Sequence, residues 1–371
     1  EKFRFLARGT YASFGDYRMG DQDWAANSRF SEKDLKAGAG YTAKSFRTTV
    51  RYNFNQSLLG MPEERGEAKG ERKPELPFQK INNHILSVDN VVFFDNSTLD
   101  VKAGYQDNDR REFEDEEDHA NLRMHLRTLD YDVKYHLPQK NRFETIVGVQ
   151  GMVQDHTNKG PEILIPDAVT VDAGILATSH YHLENIDLQA GLRFDGRKID
   201  SKSAREVSDS DFIPALERTF TSMTAALGGK FDLSEHMTAR LNLASGFRAP
   251  NLAEMTSNGV HEGTNRYEIG NPDLKQEQNL QVDLSLEFQN EHVEFFANGF
   301  YNGVADYIYL SPSGEVIGRY EVYDFLQKNA RLYGGEIGYH IHPHPLDWLH
   351  LEGSFEMVTG KVNGGGYLPL I

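Results

Sequence analysis

A histidine and two acidic residues lie close together in one long polar segment of the chain. His261 and Glu262 are adjacent in the run 258–264 (NGVHEGT), and Glu268 follows shortly after. A neutral imidazole combined with carboxylates is a ligand set that suits zinc or another borderline transition metal. The alternative interpretation is a loop histidine that hydrogen-bonds its own backbone. The pattern makes His261 and Glu262 candidate metal ligands and Glu268 a further candidate ligand-binding residue.

Two other groups of histidines occupy every second position. His340, His342 and His344 alternate in this way, as do His180 and His182. On a β-strand this spacing places the side chains of one group on one face, as a chelating site requires. Polar residues that line the rim of a sheet would show the same pattern, and we interpret both groups in that way.

An acidic run could bind a hard cation. Residues 107–118 (DNDRREFEDEED) concentrate carboxylates in a short stretch. Clustered oxygen ligands suit calcium, but the run lacks the spacing and the turn glycine of an EF-hand loop. A solvated charge run is the alternative interpretation.

The sequence contains no arrangement typical of an enzyme. We find no nucleophile elbow, phosphate-binding loop or dinucleotide fingerprint. The absence of cysteine excludes thiolate catalysis and cysteine-based zinc sites. A formal net charge of −17 argues against a nucleic-acid partner, since phosphate binding needs a basic surface.

The elements that would position these residues are long strands with two chemically different faces. Apolar residues alternate with polar or small ones over 186–195, and residues 240–247 and 281–289 repeat the pattern. An alternation of period two places the apolar set on one face of a sheet. The runs exceed the roughly 5–6 residues usual in soluble sheets and reach the roughly 9–11 that cross a bilayer at a tilt. A soluble two-sheet sandwich is the alternative architecture.

Short and long connections alternate between these strands. The short ones are 95–98, 138–141, 184–185, 234–236, 290–291 and 343–346, and the long ones are 16–27, 56–80, 110–120, 157–168, 200–219, 250–276 and 311–327. Tight turns on one side and long loops on the other are typical of an antiparallel up-and-down β-barrel that spans a membrane. The prediction is an all-β transmembrane barrel with about 15 strands present. Near Thr128 the apolar set shifts by one residue, which predicts a β-bulge or a change of face.

One segment resembles a known family. Residues 246–252 (GFRAPNL), then 270–274 (GNPDL) and Glu277, are similar to a barrel hallmark of TonB-dependent outer-membrane receptors. Pro250 cannot donate to a strand ladder and should end a strand. The stretches 104–114 (GYQDNDRREFE), 161–167 (PEILIPD) and 364–370 (GGGYLPL) also resemble positions in that barrel.

The resemblance implies a fold and a setting. Residues 1–371 would be part of a roughly 22-stranded barrel in a Gram-negative outer membrane, without the plug domain and without the first and last strands. Its partners would be the TonB energy-transducing complex, reached through the plug, and lipopolysaccharide.

The resemblance also implies active uptake of a metal or a metal chelate, such as zinc, haem or a ferric siderophore. No resident cofactor is required, although zinc, haem or calcium could be bound. Arg240 and Arg248 would contact ligand in the lumen, together with the loop residues His261, Glu262 and Glu268. A receptor for cobalamin, a glycan or a peptide and a passive porin are the alternatives, and a porin would lack the 246–252 motif.

Overall fold

The computed structural model describes residues 2–62, 65–66, 71–209, 211–261, 264, 266–346 and 348–369. In these ranges the elements are β1 (Lys2–Phe14), β2 (Trp24–Ala25), β3 (Phe30–Thr42), β4 (Phe46–Gly60), β5 (Arg65–Gly66), β6 (Phe78–Phe93), β7 (Thr98–Phe113), β8 (Leu122–His136), β9 (Phe143–Asn158), β10 (Ala168–His182), β11 (Ile186–Ser201), β12 (Leu216–Ser234), β13 (Met237–Arg248), α1 (Leu252–Thr256), β14 (Asn258–His261), β15 (Arg266–Ile269), β16 (Glu277–Gln289), β17 (Val293–Ile317), β18 (Tyr320–Ile341) and β19 (Leu351–Val362).

Fifteen of these strands form one antiparallel wall. The strands β2, β5, β14 and β15 are short, and each of the other fifteen pairs with the next long strand along the chain, from β1 with β3 to β18 with β19. This confirms the prediction of an all-β up-and-down barrel. Over the part of the chain that is described, β1 and β19 do not pair with each other, so the wall is an open arc.

The two faces of the wall differ as the alternation predicts. On β11, the side chains of Leu188, Leu192 and Phe194 are 41%, 59% and 51% exposed. On the other face of the same strand, Arg193 donates to a buried carboxylate, Asp195, at 2.7 Å. Polar side chains of non-adjacent strands, β8, β11 and β13, line one shared cavity, so the polar face is the concave, lumenal one. No helix in the described residues is long and apolar enough to span a membrane.

Strand β8 carries apolar residues on both faces, at different heights. Met124 and Leu126 point inward, where they line a cavity together with residues of α1. Leu129 and Tyr131 point outward and are exposed. The pairing with both neighbouring strands runs without a break through Thr128. Of the two sequence interpretations, the bulge is therefore wrong and the change of face is confirmed: the apolar set changes face because its upper half packs beneath a loop inside the barrel.

The predicted long loop 311–327 is also wrong. Strands β17 and β18 continue through it, and Ile317 pairs with Tyr320 across a two-residue turn, Gly318 and Arg319. Gly318 has φ 63°, a left-handed conformation that glycine adopts without steric cost. The hairpin rises beyond the apolar band of the wall, to the level of β15, which pairs with β18 over Glu321–Asp324.

Candidate ligand-binding site

The connection between β13 and β16 covers part of the inner wall of the barrel. It contains helix α1 and the hairpin β14–β15. A buried apolar cluster joins it to the barrel, formed by Ile199, Phe220, Ala249, Met255, Leu274 and Ile308. Because Ile199 lies on the same inward face of β11 as Arg193, the loop packs against the lumenal side of the strands.

The end of β13 departs from the simple alternation. Leu241 and Leu243 remain exposed on the outer face, whereas Phe247, which belongs to the same alternating set, packs against the buried cluster. The ladder between β12 and β13 stops at Ala244. Beyond it, the Ser245 hydroxyl accepts a hydrogen bond from a backbone N–H of β12 at 2.9 Å. The strand end therefore separates from β12, and Phe247 fills the space beneath the loop.

Arg248 joins four elements at this point. Its Nη1 donates to both carboxylate oxygens of Glu254 at 2.8 Å, and its Nη2 donates to Glu277 at 2.6 Å. Glu254 also closes a capping box with Asn251 at the start of α1. Glu277 accepts the backbone N–H of Ile308 at 2.7 Å. One guanidinium thus holds the ends of β13 and β16, helix α1 and strand β17 together.

The hairpin β14–β15 brings two of the candidate metal-site residues together. His261 Nδ1 lies 3.1 Å from Glu268 Oε1, and Glu268 is buried. Arg266 Nε is 3.2 Å from the same oxygen, and its guanidinium lies over the Tyr323 ring at 5.1 Å. Glu262, the second proposed metal ligand, lies outside the described residues.

The same hairpin is fixed to the rest of the loop and to the barrel. The Tyr267 hydroxyl donates to Asn258 Oδ1 at 2.9 Å, and burial raises the pKa of this hydroxyl. Strand β15 also pairs in parallel with the extended part of β18. Among the described residues, no three His, Cys, Asp or Glu side chains are already spaced to hold a metal ion. In the described hairpin, His261 and Glu268 are therefore a prearranged pair rather than a complete coordination sphere.

Arg240 lies elsewhere on the lumenal wall. It forms an ion pair with Glu287 and lines a cavity of about 380 Å³ with Asp283, Glu336 and Glu356. Arg248 lies eight residues further along β13, which corresponds to about 26 Å of strand. The five residues predicted from sequence thus include one pair in contact, two arginines at different heights of the barrel, and Glu262.

A second, larger cavity of about 490 Å³ lies on the wall below the loop. Sequence reasoning singled out Arg248 there but missed several of its polar neighbours, namely Asp132, Gln150, Asp172, Asp195 and Arg197. Arg197 holds Asp172 with two hydrogen bonds of 2.7 and 2.6 Å, and Gln150 donates to Asp132 at 2.9 Å. The position of these residues in the inward-facing set of each strand is the signal that could have identified them.

A family model described as the TonB dependent receptor-like β-barrel matches residues 3–370. The chain belongs to the TonB-dependent receptor family. Its members are outer-membrane transport receptors, which places this chain in the outer membrane and makes the exposed apolar band of the wall lipid-facing. The resemblance of the 246–252 motif is therefore confirmed, and the porin alternative is set aside.

Solved structures show the same fold at low sequence identity. The copper transporter OprC is similar with a TM-score of 0.78 and 16% identity, over 99% of this chain and 58% of that one. The siderophore receptor PirA from Pseudomonas aeruginosa gives a TM-score of 0.71 and 16% identity, over 98% and 61%. The iron transporter FrpB from Neisseria meningitidis (F3-3 variant) gives 0.73 and 11%, over 98% and 58%. This chain therefore spans about three fifths of the length of these structures.

A belt of charges lies on the outer face of the barrel, above the apolar band. His125 Nε2 is 3.0 Å from Asp107, and Arg123 holds Asp109 with two hydrogen bonds of 3.0 Å. Lys159 Nζ is 2.9 Å from the other ring nitrogen of His125. The first two carboxylates of the acidic run thus already have hydrogen-bond partners, His125 and Arg123, while calcium binding to the run stays a prediction.

The structure of the loop explains the second half of the family motif, residues 270–274. Gly270 donates its N–H to Ser257 at 2.7 Å, and Asn271 donates to the carbonyl of Glu254 at 2.8 Å, so the second half of the motif closes against α1. A Cβ on Gly270 would lie 2.5 Å from Thr256 N and 2.7 Å from Ser257 N. Glycine is needed here because two backbone segments approach closely.

We expect Gly270→Ala to loosen this closure. The added methyl group would collide with backbone that cannot move independently, and overpacking of this kind costs about 1–3 kcal/mol. Hydrogen exchange at the amides of α1 and of β14 should accelerate. Gly259→Ala is the matched control in the same loop, because its Cβ would meet its nearest neighbour at 3.7 Å, an ordinary contact distance. Equal protection in the two variants would contradict the close-approach explanation.

Proposed function

We propose that this barrel is the ligand-capturing part of a receptor for active uptake of a metal or a metal chelate, such as zinc, haem or a ferric siderophore. Membership of the TonB-dependent receptor family supports transport rather than catalysis. The solved structures that are similar to this chain include a copper transporter, a siderophore receptor and an iron transporter. The observation that carries the proposal is the arrangement of His261 against Glu268 in the loop that covers the lumen.

The chemistry of this pair suits a metal. In the tautomer that donates from Nδ1 to Glu268, the imidazole of His261 presents the lone pair of Nε2. Metal-binding histidines commonly donate their other N–H to a carboxylate, which fixes the ring and increases its basicity. We therefore assign Nε2 of His261 as the ligand and Glu268 as the carboxylate that orients it. Glu262 is the second proposed ligand.

We further propose that residues 1–371 are the barrel portion of a longer receptor. In the complete protein a plug domain would occupy the lumen and contact the TonB complex, which would supply the energy for import. This chain spans only about three fifths of the length of the similar structures, which supports the proposal. We propose that lipopolysaccharide surrounds the barrel at the level of the outer charge belt, where the basic side chains can contact its phosphate groups.

The function can be tested by measuring Zn²⁺ binding and uptake with the full-length receptor. Glu268→Gln should weaken Zn²⁺ binding by about 10-fold, the range for loss of an orienting carboxylate, and His261→Ala should weaken it further. Cells carrying either variant should accumulate less labelled zinc at low concentration. His125→Ala is the control, because this histidine lies at a comparable height but on the outer face.

Two results would overturn the proposal. If His261→Ala bound and imported Zn²⁺ as the control does, the assigned capture site would be wrong. If neither Zn²⁺ nor haem nor a ferric siderophore were taken up, but cobalamin, a glycan or a peptide were, the ligand class itself would be wrong.

A further inference from the structure

Five histidine rings meet at the end of β17, β18 and β19 where the short turns lie. His340 lies at the end of β18 and His342 directly follows that strand, His292 precedes β17, and His344 and His350 flank the turn before β19. The ring centres of His340 and His342 are 5.3 Å apart, those of His340 and His350 are 5.3 Å apart, and those of His342 and His350 are 6.0 Å apart. His292 lies 6.4 Å from His342 and 5.0 Å from His344. Histidines from three strands thus form one continuous cluster.

The register places the cluster on the lumenal face. His340 pairs with Glu294 on β17 and with Glu352 on β19, so these side chains lie on one side of the sheet. Glu336, which lines the cavity around Arg240, belongs to the same inward-facing set of β18 as His340. Short turns are periplasmic in barrels of this kind. The cluster therefore lies inside the wall, at its periplasmic end.

Two of these rings, those of His340 and His350, already have the spacing of imidazoles that share one metal ion, and the third, His342, would complete the site only after the rings adjust. Imidazoles that share one tetrahedral ion at about 2.0–2.1 Å have ring centres about 5 Å apart and ligating nitrogens about 3.3 Å apart. His340 Nε2 and His350 Nδ1 are already 3.0 Å apart. An ion could take the place of the proton that these two nitrogens share after a small adjustment of both rings.

We propose that His340, His342 and His350 bind a divalent transition metal of the zinc, copper or nickel class. Imidazole is a preferred ligand of these ions. Glu294 Oε2 lies 3.8 Å from Nδ1 of His340, where it can orient that ring and balance the charge of the ion. His292 is the nearest further donor through its contact with His342. The site is separate from the His261 loop, and its existence does not depend on which nutrient the receptor imports.

Metal binding is best measured with the full-length receptor in detergent, in a His261→Ala background that removes the proposed capture site. We expect one Cu²⁺ per chain, with electron paramagnetic resonance showing several nitrogen ligands, and competition by Zn²⁺. His340→Ala/His342→Ala should lower the affinity for Cu²⁺ by more than about 100-fold. Replacing a residue that only orients a metal ligand already lowers metal affinity by about 10–100-fold. His340→Gln/His342→Gln keeps polar side chains at both positions and should show the same loss.

The matched control is His136→Ala/His236→Ala. It removes two histidines at the same end of the barrel whose contacts are with Asp100 and with the backbone carbonyl of Gln289. This variant should keep the bound Cu²⁺ and its nitrogen signature, and circular dichroism should show that all variants are folded. Binding that is unchanged in folded His340→Gln/His342→Gln, or no Cu²⁺ or Zn²⁺ bound by the parent protein, would overturn the proposal. Either result would leave the test of the His261 site unaffected.

Discussion

The substitution Leu188→Arg should lower the yield of folded barrel in the membrane, whereas Gln189→Arg should be tolerated. Leu188 is 41% exposed on the apolar outer face of β11. Gln189 belongs to the opposite, inward-facing set of the same strand. A lipid-facing arginine costs about 2–4 kcal/mol at the middle of the bilayer, and less towards the interfaces. Because Leu188 lies a few residues from the periplasmic turn, we expect a cost of about 2 kcal/mol.

The quantity to measure is the fraction of protein that folds when it is refolded into lipid vesicles. Folded protein is recognised by the faster electrophoretic migration of the unheated barrel. The two variants add the same charge to adjacent positions, so net charge and strand propensity are matched. The prediction requires the loss of folded barrel to depend on which face of the strand carries the arginine. Similar folding yields for both would contradict the lipid-facing assignment of the outer band.

The same two-faced pattern explains why much of the fold could be predicted from sequence. Along β11, every second residue faces lipid and the others face the lumen. The sequence of this one strand therefore indicates a membrane-spanning barrel. The alternation of short and long connections then orders the strands, because consecutive strands in an up-and-down barrel are neighbours. Local patterns were sufficient for these features since each depends on residues close together in the chain.

Interpretation of the sequence was ambiguous or wrong where the surroundings change along a strand. In β8, Met124 and Leu126 face inward but are covered by the loop with α1, so an apolar side chain no longer indicates the lipid side. In 311–327, the hairpin extends beyond the membrane to the level of β15, which pairs with β18 there. A polar segment rich in glycine, serine and proline resembles a loop, and only the cross-strand pairing distinguishes it from one.

Contacts between distant residues could not be obtained from the sequence. His340 and His342 share a face because of their spacing, but the presence of His350 beside them depends on the register between β18 and β19. The pairing of Arg248 with Glu277 likewise depends on how β13 meets β16 across a long loop. Sequence analysis found the residue types of the candidate site, and the registers determine which of them meet.

Replacing Glu277 by glutamine should release the loop that covers the lumen. The Glu277 carboxylate is buried and binds both the guanidinium of Arg248 and the backbone N–H of Ile308. Glutamine keeps the size but loses the charge, and hydrogen bonds to charged groups contribute about 1.5–3 kcal/mol. Arg248 is still held by Glu254, so we expect local loosening by about 2 kcal/mol rather than collapse of the barrel.

Faster hydrogen exchange in α1 and in β14, together with easier proteolytic cleavage between β13 and β16, would show this loosening. Glu287→Gln is the matched control, because it makes the same chemical change at the partner of Arg240 and far from the loop. It should leave exchange in the loop unchanged. If the His261–Glu268 pair captures metal as proposed, Glu277→Gln should also weaken Zn²⁺ binding without touching either residue, since the loop that carries the pair loses its anchor. Unchanged exchange in α1 would show that the loop is held in place without the Arg248–Glu277 ion pair, by contacts such as the apolar cluster around Met255.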